Sequence, residues 1–135
     1  MITLSQYIGV HKKSPDWTPE RTANAVILLG RVNAMLDYLS GVGVKLPINP
    51  ATGSQISGQT FGGFRPQDCP QGAPSSSHKQ GQGVDSYDPQ NDIDRAIDDA
   101  LLTRFDLYRE HPSATDTWCH LTTRAPGSGK RTFQP

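Results

Sequence analysis

The chain has 135 residues, enough for one domain with a real core, and 34% of them are apolar. Lys and Arg number 13, as do Asp and Glu, so the formal net charge is zero and no basic nucleic-acid footprint is indicated. No apolar run approaches a membrane span, and the start, MITLSQYIGVHKK, lacks the pattern of a Sec signal peptide.

Residues 1–17 read as an irregular N-terminal arm, with Trp17 a packing residue beside the first helix start. Thr18-Pro19-Glu20 is that start, with a capping threonine, a proline at the first helical position and an acid in the first turn. Ala25, Leu28, Val32, Met35, Leu36 and Leu39 follow at helical spacing until Gly41 and Gly43 stop the helix. Residues 44–48 and 59–64 read as short strands around a turn at 49–53. The stretch 66–82 is rich in Gly, Pro, Ser and Gln, and reads either as a linker or as a long functional loop. A short strand is expected at 83–87. Asp88-Pro89 then repeats the cap-plus-proline device, ahead of a stripe of Ile93, Ile97, Leu101, Phe105 and Tyr108. The acids Asp92, Asp94, Asp98 and Asp99 read as a solvated helix face near the positive end of the dipole. Glu110-His111-Pro112 ends this helix, residues 115–122 form a last strand, and 125–135 form a polar, basic tail. The fold class is therefore α+β: a small, mainly antiparallel sheet with packed helices, in one domain over 18–124.

Three side chains stand out as metal ligands: His78, Asp85 and His120. Gly81 and Gly83, between the first two, let the chain turn from loop to strand while two side chains aim at one ion. Strand alternation puts Asp116, Trp118 and His120 on one face, and Thr117, Cys119 and Leu121 on the other. Two imidazoles, one carboxylate and an open position make a catalytic zinc donor set, with a neighbouring carboxylate as base and Arg65 as the cation for an oxyanion. The competing readings are a surface histidine at 78 and a core histidine at 120, while Trp118 is either core or cleft wall. His11 and His111 read as surface histidines, and Cys69 and Cys119 as reduced structural thiols. The tail's G-S-G-K-R lacks the residues of a phosphate loop.

Taken in order, G-G-F-R, G-A-P-S-S-S-H-K-Q-G-Q-G-V-D and W-C-H-L resemble the zinc D-alanyl-D-alanine carboxypeptidases and L-alanyl-D-glutamate peptidases. These share the hedgehog/DD-peptidase fold, act on bacterial peptidoglycan and include many phage endolysins. The resemblance covers about residues 20–125. It implies that His78, Asp85 and His120 bind Zn2+, that Arg65 holds or polarises the substrate, and that Ser76 supports the site with Trp118 in the substrate cleft. The family's acid lies three residues before the last ligand, where this chain has Thr117. Asp116 is the expected base in its place, with Glu110 the other nearby acid. The implied function is a phage-encoded peptidase cutting peptidoglycan stem peptides. The alternative is an inactive member of the same fold that binds the wall or builds a virion. The expected location is the host cytoplasm before lysis, with a holin-type partner for release, or the virion itself. No nucleic-acid or membrane partner is expected.

Overall fold

The computed structural model describes all of residues 1–135. Four strands form one sheet in the order β1-β3-β2-β4: β1 Gly83–Tyr87, β2 Tyr108–Glu110, β3 Trp118–Thr122 and β4 Thr132–Phe133. β3 pairs antiparallel with both β1 and β2, and β4 runs parallel to β2. The helices are α1 Leu4–Ile8, α2 Pro19–Gly41, α3 Asp92–Ala96 and α4 Asp99–Phe105. The α+β expectation holds, with one parallel pairing making the sheet mixed.

The long helix forms as its caps dictate. Thr18 Oγ1 accepts from the Arg21 amide, Pro19 opens the helix, and Gly43 follows its end at φ +93°. All six residues of the expected stripe are buried, joined by Leu29. They meet Val84, Cys119 and Leu121 from one face of the sheet, Ile93 and Ile97 from α3 and its end, and Leu102 and Leu107 from α4 and its exit. Register fixes what the opposite face carries. Val84 stands against Leu121 and Ser86 against Cys119, so the alternating pairs Asp85–His120 and Tyr87–Trp118 face away from this core.

Four expectations are corrected. First, the arm is folded: α1 carries a capping box from Thr3 and Gln6 and buries Tyr7 almost completely, and Ile2, just ahead of the cap, is equally buried. Second, residues 44–48 and 59–64 are not strands. Residues 55–62 run irregularly along the free edge of β1, joined by an isolated bridge of Ile56 with Ser86 and by bonds from the Ser57 and Tyr87 amides to the Asp85 and Gln55 carbonyls. That arrangement covers the edge without extending the sheet. Third, the helix expected from Asp88 breaks at Ile97, whose backbone is extended. Asp98 is the cause: its carboxylate caps the Leu101 amide at 2.8 Å and starts a second helix. Within the acidic run Asp94 is buried against Arg109, and residues 108–110 leave the helix to become β2. Fourth, the C-terminal segment is no free tail. β4 pairs with β2, Arg131 bonds Asp106 and the Leu107 carbonyl, and Thr132 bonds Asp99.

The 66–82 stretch is an ordered loop. Lys79 is buried, its ammonium donating to the Gln67 and Cys69 carbonyls, while Arg21 and Asn24 of α2 donate to the Lys79 and Gln80 carbonyls. The loop is thus tied to α2 just after His78, and Lys79 ties its earlier part to the same turn. Both cysteines are free and buried, as expected.

Candidate metal centre

His78, Asp85 and His120 come together, one potential donor atom of each lying within 4.8 Å of the others. A 3-10 turn, Ser77–Gln80, presents His78, while β1 and β3 present the cross-strand partners Asp85 and His120. Asp85 Oδ1 lies 3.2 Å from His78 Nε2 and 2.9 Å from His120 Nδ1. A tetrahedral ion with ligand bonds of about 2.0–2.1 Å sets its donor atoms about 3.3 Å apart, close to this spacing.

The outer contacts of each ligand fix its orientation. His78 Nδ1 donates to the Gly63 carbonyl at 2.8 Å. Neutral His78 therefore aims the lone pair of Nε2 at a carboxylate oxygen, and only a proton or a cation makes that contact favourable. Burial pushes the His78 pKa down, against the opposing charge of Asp85, so the proton is disfavoured. Burial by itself would raise the Asp85 carboxyl. The influence of His78 and a hydrogen bond from His120 outweigh it and hold the carboxyl well below its ordinary range. The chemistry of the trio is thus an ionised carboxylate with the His78 lone pair turned toward it and the His120 ring beside it, a donor set that could bind a metal ion. His120 Nε2 lies 3.4 Å from Ser77 Oγ. That hydroxyl can donate or accept, so it supports either tautomer of His120.

Glycine is required at two places around the trio. At Gly63 a methyl group would strike the Tyr7 carbonyl, which accepts from the Phe64 amide. At Gly83 it would strike the Ser77 side chain and lie 3.1 Å from the His120 ring. The role of Gly83 is therefore room for the site, and its φ is not in the left-handed region; Gly81, at φ +72°, makes the turn.

Arg65 lies beside the trio, as expected, but its engagement is internal. Its Nε donates to the Phe61 carbonyl at 2.7 Å and its Nη2 meets Asp85 Oδ2 at 3.3 Å. Trp118 is half-buried and borders the cavities on both sides of the site, which makes it cleft wall and not core. Ser76 lines the same cavity, but the serine that reaches a ligand is Ser77. Asp116, the expected base, is exposed in the bend before β3 and lines neither cavity. The reason is that β3 begins only at Trp118, so the alternation extrapolated back to Asp116 does not apply.

The acid that does reach the cavity is Glu110. Tyr108 pairs with Thr122, so the pleat puts Glu110 on the face of His120 and Thr122. It lines a cavity of about 510 Å³ together with all three ligands, and it forms no ion pair. Phe133 of β4 closes that side, its ring edge-on to His120 at 6.5 Å. A second cavity of about 390 Å³, lined by 57–62, Gln71 and Trp118, adjoins the site through Arg65 and Asp85. A larger groove of about 620 Å³ between α2 and residues 44–47 has only Asp37 and Lys45 as charged lining and no ligand cluster. No helix is long and apolar enough to cross a membrane. No protein-family model, curated protein or solved structure matches the chain.

Proposed function

We propose that the protein is a zinc-dependent peptidase of the peptidoglycan-hydrolase type, with Glu110 as its general base. The observation that carries this reading is the convergence of His78 Nε2, Asp85 Oδ1 and His120 Nδ1 at the junction of two cavities, with an unpaired carboxylate on the same face. Two nitrogens and one oxygen suit zinc better than calcium or magnesium, which prefer all-oxygen shells. Bound there, zinc would acidify water toward about pH 7 and polarise a peptide carbonyl.

The chain's own residues supply the rest. His78, Asp85 and His120 hold the ion, and the Gly63 carbonyl, Ser77 and Arg65 hold the ligands. Glu110 takes a proton from the attacking water and delivers it to the leaving amine. Arg65 keeps Nη1 free of internal partners, and this N–H group stabilises charge developing on the carbonyl oxygen. Trp118 forms a wall common to both cavities, so a chain can lie across the ion. The peptidoglycan substrate rests on the resemblance of the G-G-F-R, S-x-H and W-C-H segments, and a phage origin rests on the same ground.

The test is metal content and hydrolysis measured on the same preparations. The full chain should carry about one zinc, and His78→Ala should lose it. Wild type should release new amine termini from purified peptidoglycan. Glu110→Gln should keep zinc and lose activity by roughly 10²–10⁴-fold, while Asp116→Asn changes neither. A chain that takes up no zinc on reconstitution overturns the reading. Zinc without hydrolysis in the wild type favours a wall-binding or virion component.

A further inference from the structure

The long helix α2 presents an apolar face that nothing in the chain covers. Opposite its buried stripe, Ala23, Val26, Ile27, Gly30 and Ala34 share one exposed side, and no charged residue interrupts them. Val26 is 58% exposed and Ile27 52%. Gly30 stands beside them for no reason internal to the chain. Glycine is a poor helix former, and a methyl group at this position would meet open space, so neither the backbone nor the packing of one copy requires it. What Gly30 does provide is a notch next to Ile27, where a second helix can come close.

The charges at the border of this face determine which helix fits. Glu20 and Tyr38 are eighteen residues apart, about five turns, so both lie on the same border. Arg104 of α4 sits over the Tyr38 ring, 4.6 Å from its centroid. Neither Glu20 nor Arg104 has an ion-pair partner within its own chain. In an antiparallel pair of identical helices, each border meets its own copy in reverse order. When α2 crosses a second α2 near Gly30, Glu20 of each copy therefore meets Arg104 of the other, so the two-fold axis forms the pair twice. The same alignment sets Ile27 against the other copy's Gly30 and Ala23 against its Ala34. Asp37, near the negative end of its own helix, comes to lie by the positive end of the other.

We propose that the exposed face of α2 is a homodimerisation surface, on which two copies of the chain pair antiparallel with Ile27 seated at Gly30 and Glu20 paired with Arg104 across the two-fold axis. The inference is independent of the peptidase reading. The buried stripe of α2 packs on the face of the sheet opposite the ligands, so the pairing leaves both metal centres open. A single helix pair covers less than the roughly 800 Å² per partner of a standard interface, so the dimer is a weak one, with a Kd on the order of 10–100 μM.

The experiment is analytical ultracentrifugation of the full chain from about 5 to about 500 μM, a range that brackets this Kd. Wild type should pass from monomer to dimer across it. Gly30→Leu fills the notch and should stay monomeric throughout. A side chain at this position meets open space in the single copy, so the far-ultraviolet circular dichroism of the variant should match wild type. Glu20→Arg and Arg104→Glu should each raise Kd about tenfold by setting like charges together. The double variant Glu20→Arg/Arg104→Glu should recover most of the wild-type affinity, a rescue that damage to the fold would not produce. A wild type that remains monomeric at about 500 μM overturns the proposal. So does a dimer that survives in Gly30→Leu, or one whose affinity the charge reversals do not lower singly and restore together. Assemblies larger than a dimer overturn the closed two-fold pairing.

Discussion

At the scale of single residues, the decisive contact is His78 Nε2 against Asp85 Oδ1, two acceptors held together by groups behind them. It makes the metal-free protein acid-sensitive in a defined direction. The folded His78 pKa is depressed by burial, so protons bind the unfolded chain more readily. The stability this contributes is complete above the ordinary histidine value of about 6.5 and drains away as pH falls below it. Asp85, also depressed, contributes stability that is lost only in much stronger acid. Urea unfolding of chelator-treated protein should therefore weaken from pH 8 to pH 5, and His78→Gln should flatten that slope. A wild-type slope unchanged in the variant would locate the titrating group elsewhere. Much of this site was legible beforehand. The small residues around 78–85 permit both side chains to converge, and the period of two in a strand separates His120 from Cys119. Glu110 was legible only as the second acid after Asp116, and Ser77 was not legible. Glu110 reads as a helix end because an unbroken apolar stripe precedes it, and Ser77 is one of three consecutive serines that only the position of Gly83 tells apart.

At the scale of elements, α1 is the least expected part of the structure and one of the most connected to the site. Its Tyr7 ring is buried between the site and the N-terminal aromatic cluster, where Trp17 meets Phe64 edge-on at 4.9 Å. The Tyr7 hydroxyl donates to the Gly83 carbonyl at 2.9 Å, and burial together with the charge of Asp85 pushes its pKa up, so it stays a donor. The Tyr7 carbonyl accepts from Phe64, next to the Gly63 carbonyl that orients His78. One residue thus supports the strand that bears Asp85 and the segment that holds His78. Tyr7→Phe should cost about 1–2 kcal/mol in denaturant unfolding and also weaken zinc affinity in a chelator competition. Gly63→Ala, which drives a methyl into the Tyr7 carbonyl, should cost about 1–3 kcal/mol. If both variants lose stability while zinc affinity stays at the wild-type value, α1 is scaffold without influence on the site. The sequence hid α1 because five helical residues carry no periodicity. For the same reason of length, two short helices joined at Ile97 imitate one long helix, and only the capping geometry of Asp98 separates them.

At the scale of the whole molecule, the sheet divides the work between its faces. Eighteen buried apolar side chains form a core on the helical side, and none of the three ligands belongs to it. The ligand face adds to β1 and β3 a segment that the core does not hold, the loop turn at His78, with Arg65 tying residues 61–65 to Asp85. A cation bound there would cross-link parts of the chain up to 42 residues apart, counting from His78 to His120. Because the core lies on the other face, chelation should leave the far-ultraviolet circular dichroism intact at room temperature and act on the unfolding transition. An excess of about a thousandfold over Kd stabilises the native state by roughly 4 kcal/mol. For a chain of this size that corresponds to a rise in Tm of roughly 10–15 °C on adding zinc to the metal-free protein. His78→Ala should show no such rise, while Glu110→Gln should show the full rise, since it keeps every ligand. Loss of secondary structure on chelation at room temperature would mean that the ion, and not the helical core, holds the fold. A zinc response that persists in His78→Ala would mean that the cross-link lies elsewhere on the molecule.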